Sequence, residues 1–274
     1  MSTAHKTSAK SSSKQSAHRR KKKPAQDNEL ARVHGLHAAE AVLKGRPEAV
    51  VRIYAQDSRQ DARLGAVLQA AGNLGLTIER CSGELLDKLS HDGVHQGVCI
   101  DMMPSQPKSE SELWQLLDTV AVPLLLILDG VQDPHNLGAC LRSADAAGVH
   151  AVIAPRDRAA GLTATARKVA TGAAEFVPFF QVGNLSRCLA QLETRGIWRI
   201  GTDGETELQY SDCDFKVPTA LVLGSEGKGL RRLTREHCDQ LVAIPMAGTV
   251  QSLNVSVAAG VCLFEAVRQR GLAS

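Results

Sequence analysis

The chain has 274 residues, 43% hydrophobic and 3% aromatic, with 32 Lys and Arg against 29 Asp and Glu and a formal net charge of +3. That length allows one large or two ordinary domains with real cores, while so few aromatics argue against a single-strand stacking platform. The longest apolar run, Val120–Leu128, is broken by Pro123 and falls short of the roughly 18–20 residues of a membrane span.

No apolar segment follows the basic N-terminus, as a secretory signal requires. The charge is uneven. Eight of the 32 basic residues and none of the acids fall within residues 1–26, so the rest of the chain carries about −5. Residues 1–30 read as a disordered basic tail, either a solubilising segment or a nucleic-acid tether that gains by releasing phosphate counterions. The seven cysteines are scattered singly, without CxxC, and read as reduced, buried thiols of a cytoplasmic protein. No HExxH occurs, and no metal site is expected.

Residues 31–103 read as a small α/β domain. His34–Leu43 has helical spacing, ended by Gly45, and Val50–Tyr54 alternates as a strand. Arg59–Ala71 is helical, Leu76–Arg80 a strand, Gly83–Leu89 a short helix and Gly97–Asp101 a third strand. His95-Gln96-Gly97 lies at a loop-to-strand junction and either touches a ligand or satisfies a turn. His91 and His95, with Gly93 between them, read as solvated or structural.

Residues 104–122 read as a linker, with a helix over Glu110–Val120. From Pro123 the rhythm is βαβ. Leu124–Leu128 is uniformly apolar, as in a parallel strand buried on both faces. A helix follows from Asn136 to Gly148, then a strand at Ala151–Ala154. Thr163–Ala174 is helical, Val177–Val182 a strand, Asn184–Thr194 a helix and Ile197–Ile200 a strand. The runs LVL and LVAI before two glycine-rich turns are strands, and Ser252–Gln269 is a closing helix. Strands alternating with such helices imply a parallel sheet covered on both sides.

Three polar clusters sit at strand ends or helix starts of this block, where open α/β sheets bind ligands. Asn136-x-Gly138-x-x-x-Arg142 offers Asn136 as a helix cap or a ligand group. It offers Arg142 as a surface ion-pair partner or an anchor for an anionic substrate. Gly224-Ser-Glu226-Gly-Lys-Gly229 is neither a P-loop nor a dinucleotide fingerprint. Its glycines allow close backbone approach to a ligand, or merely a tight strand-to-helix turn. Ser252-Leu253-Asn254 follows Ile244-Pro-Met-Ala-Gly248, and Ser252 reads as a cap of the last helix or as a polar group of a site. No His–Asp partner pattern marks it as a hydrolase nucleophile.

In order, these segments resemble motifs 1, 2 and 3 of the SpoU/TrmH branch of the SPOUT methyltransferases, across some 140 residues. HGLHAAEAVL and VHQGV are similar to the L30e-like substrate-binding domain of longer members. The two-domain layout is most similar to the bacterial enzymes that methylate a guanosine of 23S ribosomal RNA. Ser225 stands where Ala or another small residue is common. The resemblance implies a parallel-sheet SPOUT domain over 123–274 with a deep trefoil knot, an exception to the general rule against knots. It implies S-adenosylmethionine as cofactor, lined by Gly224, Ile244 and Leu253, and catalytic positions at Asn136, Arg142, Glu226, Ser252 and Asn254. It also implies a homodimer whose site is completed across the interface, with 23S rRNA or a large-subunit precursor as partner and no membrane association.

The residue chemistry agrees with that reaction. A ribose 2′-hydroxyl is a poor nucleophile, so methyl transfer needs in-line positioning. A guanidinium is essentially always charged, which favours phosphate positioning over general-base work for Arg142. Two other readings remain. A transfer-RNA ribose methyltransferase is disfavoured by the additional N-terminal domain. A non-catalytic RNA-binding or ribosome-assembly factor is disfavoured by the intact Asn136, Arg142, Ser252 and Asn254.

Overall fold

Two sheets follow one another along the chain. The computed structural model describes Met1 and residues 30–59 and 61–271. The basic tail expected at residues 1–30 therefore lies, Met1 and Leu30 apart, outside the described residues. The first sheet contains β1 (Ala31–His34), β2 (Val50–Gln56), β3 (Ile78–Cys81) and β4 (Val98–Met102). Its order is β1-β4-β2-β3, antiparallel except for the β2–β3 pair. Helices α1 (Leu36–Gly45) and α2 (Ala62–Asn73) bury Leu36, Val42, Leu64 and Val67 against Ile53 and Ile100 on one face. On the other, α3 (Gly83–Ser90) sets Leu86 against Cys81 and Cys99. Asp61 caps α2 and Ser82 caps α3, each accepting from a backbone N–H three residues on.

The helix expected from His34 begins instead at Leu36. His34 still belongs to β1, an edge strand paired with β4, its register running Ala31–Met102 to His34–Cys99. Four residues carry too little periodicity to reveal a partner so far along the chain.

Residues 104–122, read as a linker, are bound to the second sheet. Lys108 N donates to Phe179 O at 2.8 Å, and Gln181 N donates to Lys108 O at 3.1 Å. Next, α4 (Glu110–Leu117) starts in a capping box between Ser109 and Glu112 and buries Leu113 and Leu117.

The second sheet is wholly parallel, in the order β10-β8-β9-β5-β6-β7. Its strands are β5 (Leu124–Asp129), β6 (Ala151–Pro155), β7 (Phe179–Val182), β8 (Trp198–Thr202), β9 (Thr219–Gly224) and β10 (Gln240–Val242). The period of two is plain in β5. Leu124, Leu126 and Leu128 face α5 (Pro134–Ala146), α6 (Ala164–Ala170) and α9 (Val255–Arg270). Leu125 and Ile127 face α4 and α7 (Leu185–Thr194). Each fully buried Leu or Ile here contributes about 1.5–3 kcal/mol. A short α8 (Arg232–Glu236) links β9 to β10.

Three expectations change. Asp133, not Asn136, caps α5, its carboxylate accepting from His135 N at 2.9 Å. Pro134 begins that helix, where its missing N–H costs nothing. Asn254, not Ser252, caps α9. The helix expected over Thr163–Ala174 ends at Ala170, because Thr171 and Gly172 turn to φ 51° and 91° and a 3-10 turn (Ala173–Glu175) follows.

A buried carboxylate joins the two sheets' domains. Glu175 is 4% exposed. It accepts from Arg46 Nη1 of the first at 3.2 Å, from Arg167 Nη1 of the second at 2.5 Å and from Ser105 N between them at 2.6 Å. Phe176 packs against the core of the first domain.

Candidate active site

The second sheet reverses its direction of winding between β5 and β9. From β5 the chain steps outward to β6 and β7, then returns across to build β8, β9 and β10. Asp129 and Gly224 pair across this junction at the carboxyl ends of their strands. Open parallel sheets form their binding crevice at such a switch point.

A cleft of ≈ 350 Å³ lies there, on the β9 side. Gly224, Glu226, Gly227 and Gly229 line it from the turn after β9, with Ile244, Met246, Gln251, Ser252 and Leu253 from the segment after β10. Thr202 and Asp203 line it from the end of β8. The turn after β9 doubles back on itself. Ser225 N donates to Gly229 O at 3.1 Å, and Gly229 N donates to Ser225 O at 2.9 Å. A Cβ on Gly224 would lie 2.1 Å from the Gly229 carbonyl carbon, so no larger residue allows this closure.

Asn136 and Asn254 meet beside the cleft. Asn254 Oδ1 accepts from Ser256 N at 2.9 Å and from Ser256 Oγ at 2.6 Å. Those two donors fix its carboxamide, so its Nδ2 points to Asn136 Oδ1 at 2.9 Å. The segment after β10 is thereby joined to the first turn of α5. The Asp133 carboxylate caps α5 and the Asn254 carboxamide oxygen caps α9, which leaves Asn136 for this contact.

The structure therefore gathers Gly224, Glu226, Ile244, Ser252 and Leu253 around one cleft and pairs Asn136 with Asn254. Arg142 stands apart. It lies six residues beyond Asn136 on α5, about 9 Å along the axis at 1.5 Å per residue. Its side chain is exposed, makes no ion pair among the described residues and is not among those lining the cleft. Glu226 is likewise exposed without an ion pair among the described residues.

Sequence reasoning missed Thr202, Asp203 and Gln251. Asp203 Oδ2 receives Arg235 Nη1 at 2.8 Å, and Oδ1 receives Glu205 N at 2.9 Å. The Asp203-Gly204 turn after an apolar strand was the available signal. The turn formed by His95-Gln96-Gly97 is self-contained. Gln96 Oε1 accepts from Leu36 N at 3.0 Å, and His95 bridges Gly97 N and Asp87.

A second, shallower hollow of ≈ 430 Å³ between Asp212–Lys216 and Arg268–Gln269 involves none of the motif residues. Arg268 there is paired with Glu265, whose carboxyl its hydrogen bonds hold down to about 2. Among the described residues, no three His, Cys, Asp or Glu are grouped to hold a metal ion. Cys140, Cys188 and Cys262 are buried thiols, pushed up to about 12 by burial. No described helix is long and apolar enough to cross a membrane.

A glycine-built cleft at the switch point of a parallel sheet, with side-chain amides at its lip, defines a ligand-binding α/β protein. The model of the "SpoU rRNA Methylase family" matches residues 123–264, and that of "RNA 2'-O ribose methyltransferase substrate binding" matches residues 32–108. The 23S rRNA (guanosine-2'-O-)-methyltransferase RlmB of Photorhabdus laumondii is 53% identical over 238 residues, 87% of this chain and 98% of the relative. Its counterpart in Escherichia coli K12 is 51% identical over the same shares. The crystal structure of the SpoU methyltransferase AviRb from Streptomyces viridochromogenes, in complex with the cofactor AdoMet, matches with a TM-score of 0.64. Its identity is 26%, covering 88% of this chain and 91% of that one. The chain belongs to the SpoU rRNA methylase family.

Proposed function

We propose that this protein is an S-adenosylmethionine-dependent RNA 2′-O-methyltransferase acting on a guanosine of 23S rRNA. The observation that carries this reading is the convergence of the segments at 202–204, 223–229 and 242–258 on one cleft beside the Asn136–Asn254 contact, in a chain about half identical to RlmB over 87% of its length.

The cleft fits the cofactor. Its volume lies in the range of small-molecule sites. Its glycine wall brings backbone within reach, Ile244 and Leu253 offer apolar surface, and Glu226 and Gln251 add polar groups. Gly224, Ile244 and Leu253 would hold the cofactor, which when bound supplies an electrophilic sulfonium methyl. Arg142 anchors the phosphate beside the target ribose, a task suited to a permanently charged fork. Asn136, Asn254 and Ser252 orient the ribose or the methionine moiety by hydrogen bonds, and Glu226 holds the loop or a cationic group. Positioning of this kind is where most of the acceleration for a weak nucleophile arises.

The working unit is a homodimer. Arg142 lies outside its own cleft, and α9, packed on α5, exposes Val257 and Phe264, each at 50%, one heptad apart. A second copy covering that face would bring an Arg142 toward the partner's cleft. Residues 31–103 form the L30e-like RNA substrate-binding domain, 104–122 the connection and 123–274 the SPOUT domain. The segment from Ile244 to Asn254, running past the turns at 202–204 and 224–229 into α9, forms the deep trefoil knot. The protein works in the cytoplasm, on 23S rRNA or a large-subunit precursor.

Titration calorimetry with S-adenosylmethionine, followed by mapping of methyl transfer onto 23S rRNA, tests the reading. Absence of cofactor binding would leave an RNA-binding factor, and methylation of transfer RNA alone would transfer the substrate assignment. Arg142→Ala should slow transfer by about 100-fold, the usual scale for losing a positioned electrostatic group. A wild-type rate would remove Arg142 from the mechanism.

A further inference from the structure

We propose that Arg231 binds a backbone phosphate of the substrate RNA at the lip of the cleft, and that the buried Asp129 aims it. This rests on the RNA methyltransferase reading above.

Asp129 ends β5 and is 1% exposed. A buried carboxylate is costly unless it is paired and hydrogen-bonded. Its Oδ2 accepts from Arg231 N at 2.9 Å. Its Oδ1 lies 3.3 Å from Arg231 Nε yet accepts no hydrogen bond in the present arrangement. Among the described residues Arg231 is the one cation paired with it.

The glycine next to Asp129 makes room for the guanidinium. Gly130 has φ +81°, and a Cβ there would come within 3.0 Å of Arg231 Nη2. The guanidinium therefore lies across Gly130 with its Nε edge toward Asp129. Its side chain is 47% exposed, and neither Nη makes a hydrogen bond among the described residues. A planar fork with one edge on a carboxylate and the other open suits phosphate oxygens.

Its place is equally specific. Asp129 pairs with Gly224 across the switch point, and Gly229, two residues before Arg231, lines the cleft. Asn136 lies six residues past Gly130. Arg231 thus stands between the cleft and the start of α5. Its neighbours are engaged elsewhere, Arg232 with Glu236 at 2.5 Å and Arg235 with Asp203 at 2.8 Å. Closure of the loop does not need the guanidinium, because the backbone N–H of residue 231 already reaches Asp129.

Arg231→Met keeps that N–H and the apolar stem. The double variant Asp129→Asn/Arg231→Met also removes the carboxylate left without its cation, so a folding defect cannot mask the result. Affinity of the full-length protein for a 23S rRNA fragment is measured across salt concentrations, alongside KM, kcat and calorimetric binding of S-adenosylmethionine. In both variants the Kd and KM for RNA should rise about tenfold, and the salt slope should shrink by about one phosphate contact. Cofactor affinity and kcat at saturating RNA should stay within about twofold. An unchanged salt slope overturns the proposal, as does a loss of cofactor affinity in step with RNA affinity, which would mark Arg231 as a loop brace. Wild-type protein that neither binds cofactor nor methylates the fragment overturns the enzymatic reading itself. Methylation by wild type with an unaltered slope in the variants overturns only the role of Arg231.

Discussion

The two sheets use their polar residues in opposite ways. In the first, Arg32 clasps Asp101 at 2.6 Å, Gln96 accepts from the start of α1, and His95 bridges Asp87 and Gly97. These groups satisfy one another. At the carboxyl edge of the second, Ser252 faces the cleft, Arg231 keeps one edge open, and Glu226 has no ion pair among the described residues, while Arg142, further along α5, likewise has none. Both edges look alike as strings of His, Gln, Gly, Ser and Arg. What separates them is which hydrogen-bonding capacity remains after folding.

The largest effect should come where the two regions join. Glu175→Ala would leave Arg46 and Arg167 without the buried carboxylate they share, at a cost of about 3 kcal/mol. Urea unfolding measures this, and an unchanged midpoint would mean the domains are not energetically joined there. Next is Gly224→Ala, whose methyl group cannot fit within 2.1 Å of the Gly229 carbonyl carbon. Misplacing the turn should weaken S-adenosylmethionine binding on the order of 100-fold by calorimetry, while retained affinity would place the cofactor elsewhere.

Gln96→Ala is the counterpart in the first sheet. It removes the acceptor for Leu36 N and should lower stability by about 1 kcal/mol without changing cofactor affinity. A collapse of cofactor binding would erase the contrast between the sheets. The smallest effect concerns pH. Burial, then the charges of His95 and His91, holds His34 below its ordinary 6.5. The unfolded chain takes up that proton first, so the contribution of His34 is complete above about 6.5 and is lost as pH falls toward the folded-state value. His34→Gln should flatten the acid side of the melting-temperature profile. Some slope should persist, because burial also holds His150, just before β6, below its ordinary value. An unaltered profile would show that His34 does not titrate with unfolding.

Much of this was legible in the residues. The apolar run Leu124–Leu128 announced a strand buried on both faces, because a parallel sheet covered twice leaves no polar side to its strands. The glycines of 224–229 announced a tight turn, since close approach needs the missing Cβ. The edge strand Ala31–His34 was not legible, and neither were the true caps Asp133 and Asn254. At Asn136 and Ser252 the residue type allowed a cap, yet neighbours two or three positions away took that role.

By itself, then, the sequence determined the βαβ rhythm, the order of the motifs and the membership of the SpoU family, all of which reside in local spacing and residue type. Only the tertiary structure decided that Asn254 meets Asn136, that Asp129 holds Arg231, and that Arg142 stands outside the cleft its motif suggests. Those are contacts between residues separated by about a hundred positions in two cases, and an exposure set by how α5 and α9 pack in the third. No local pattern encodes them, because they depend on which strand ends the crossovers bring side by side.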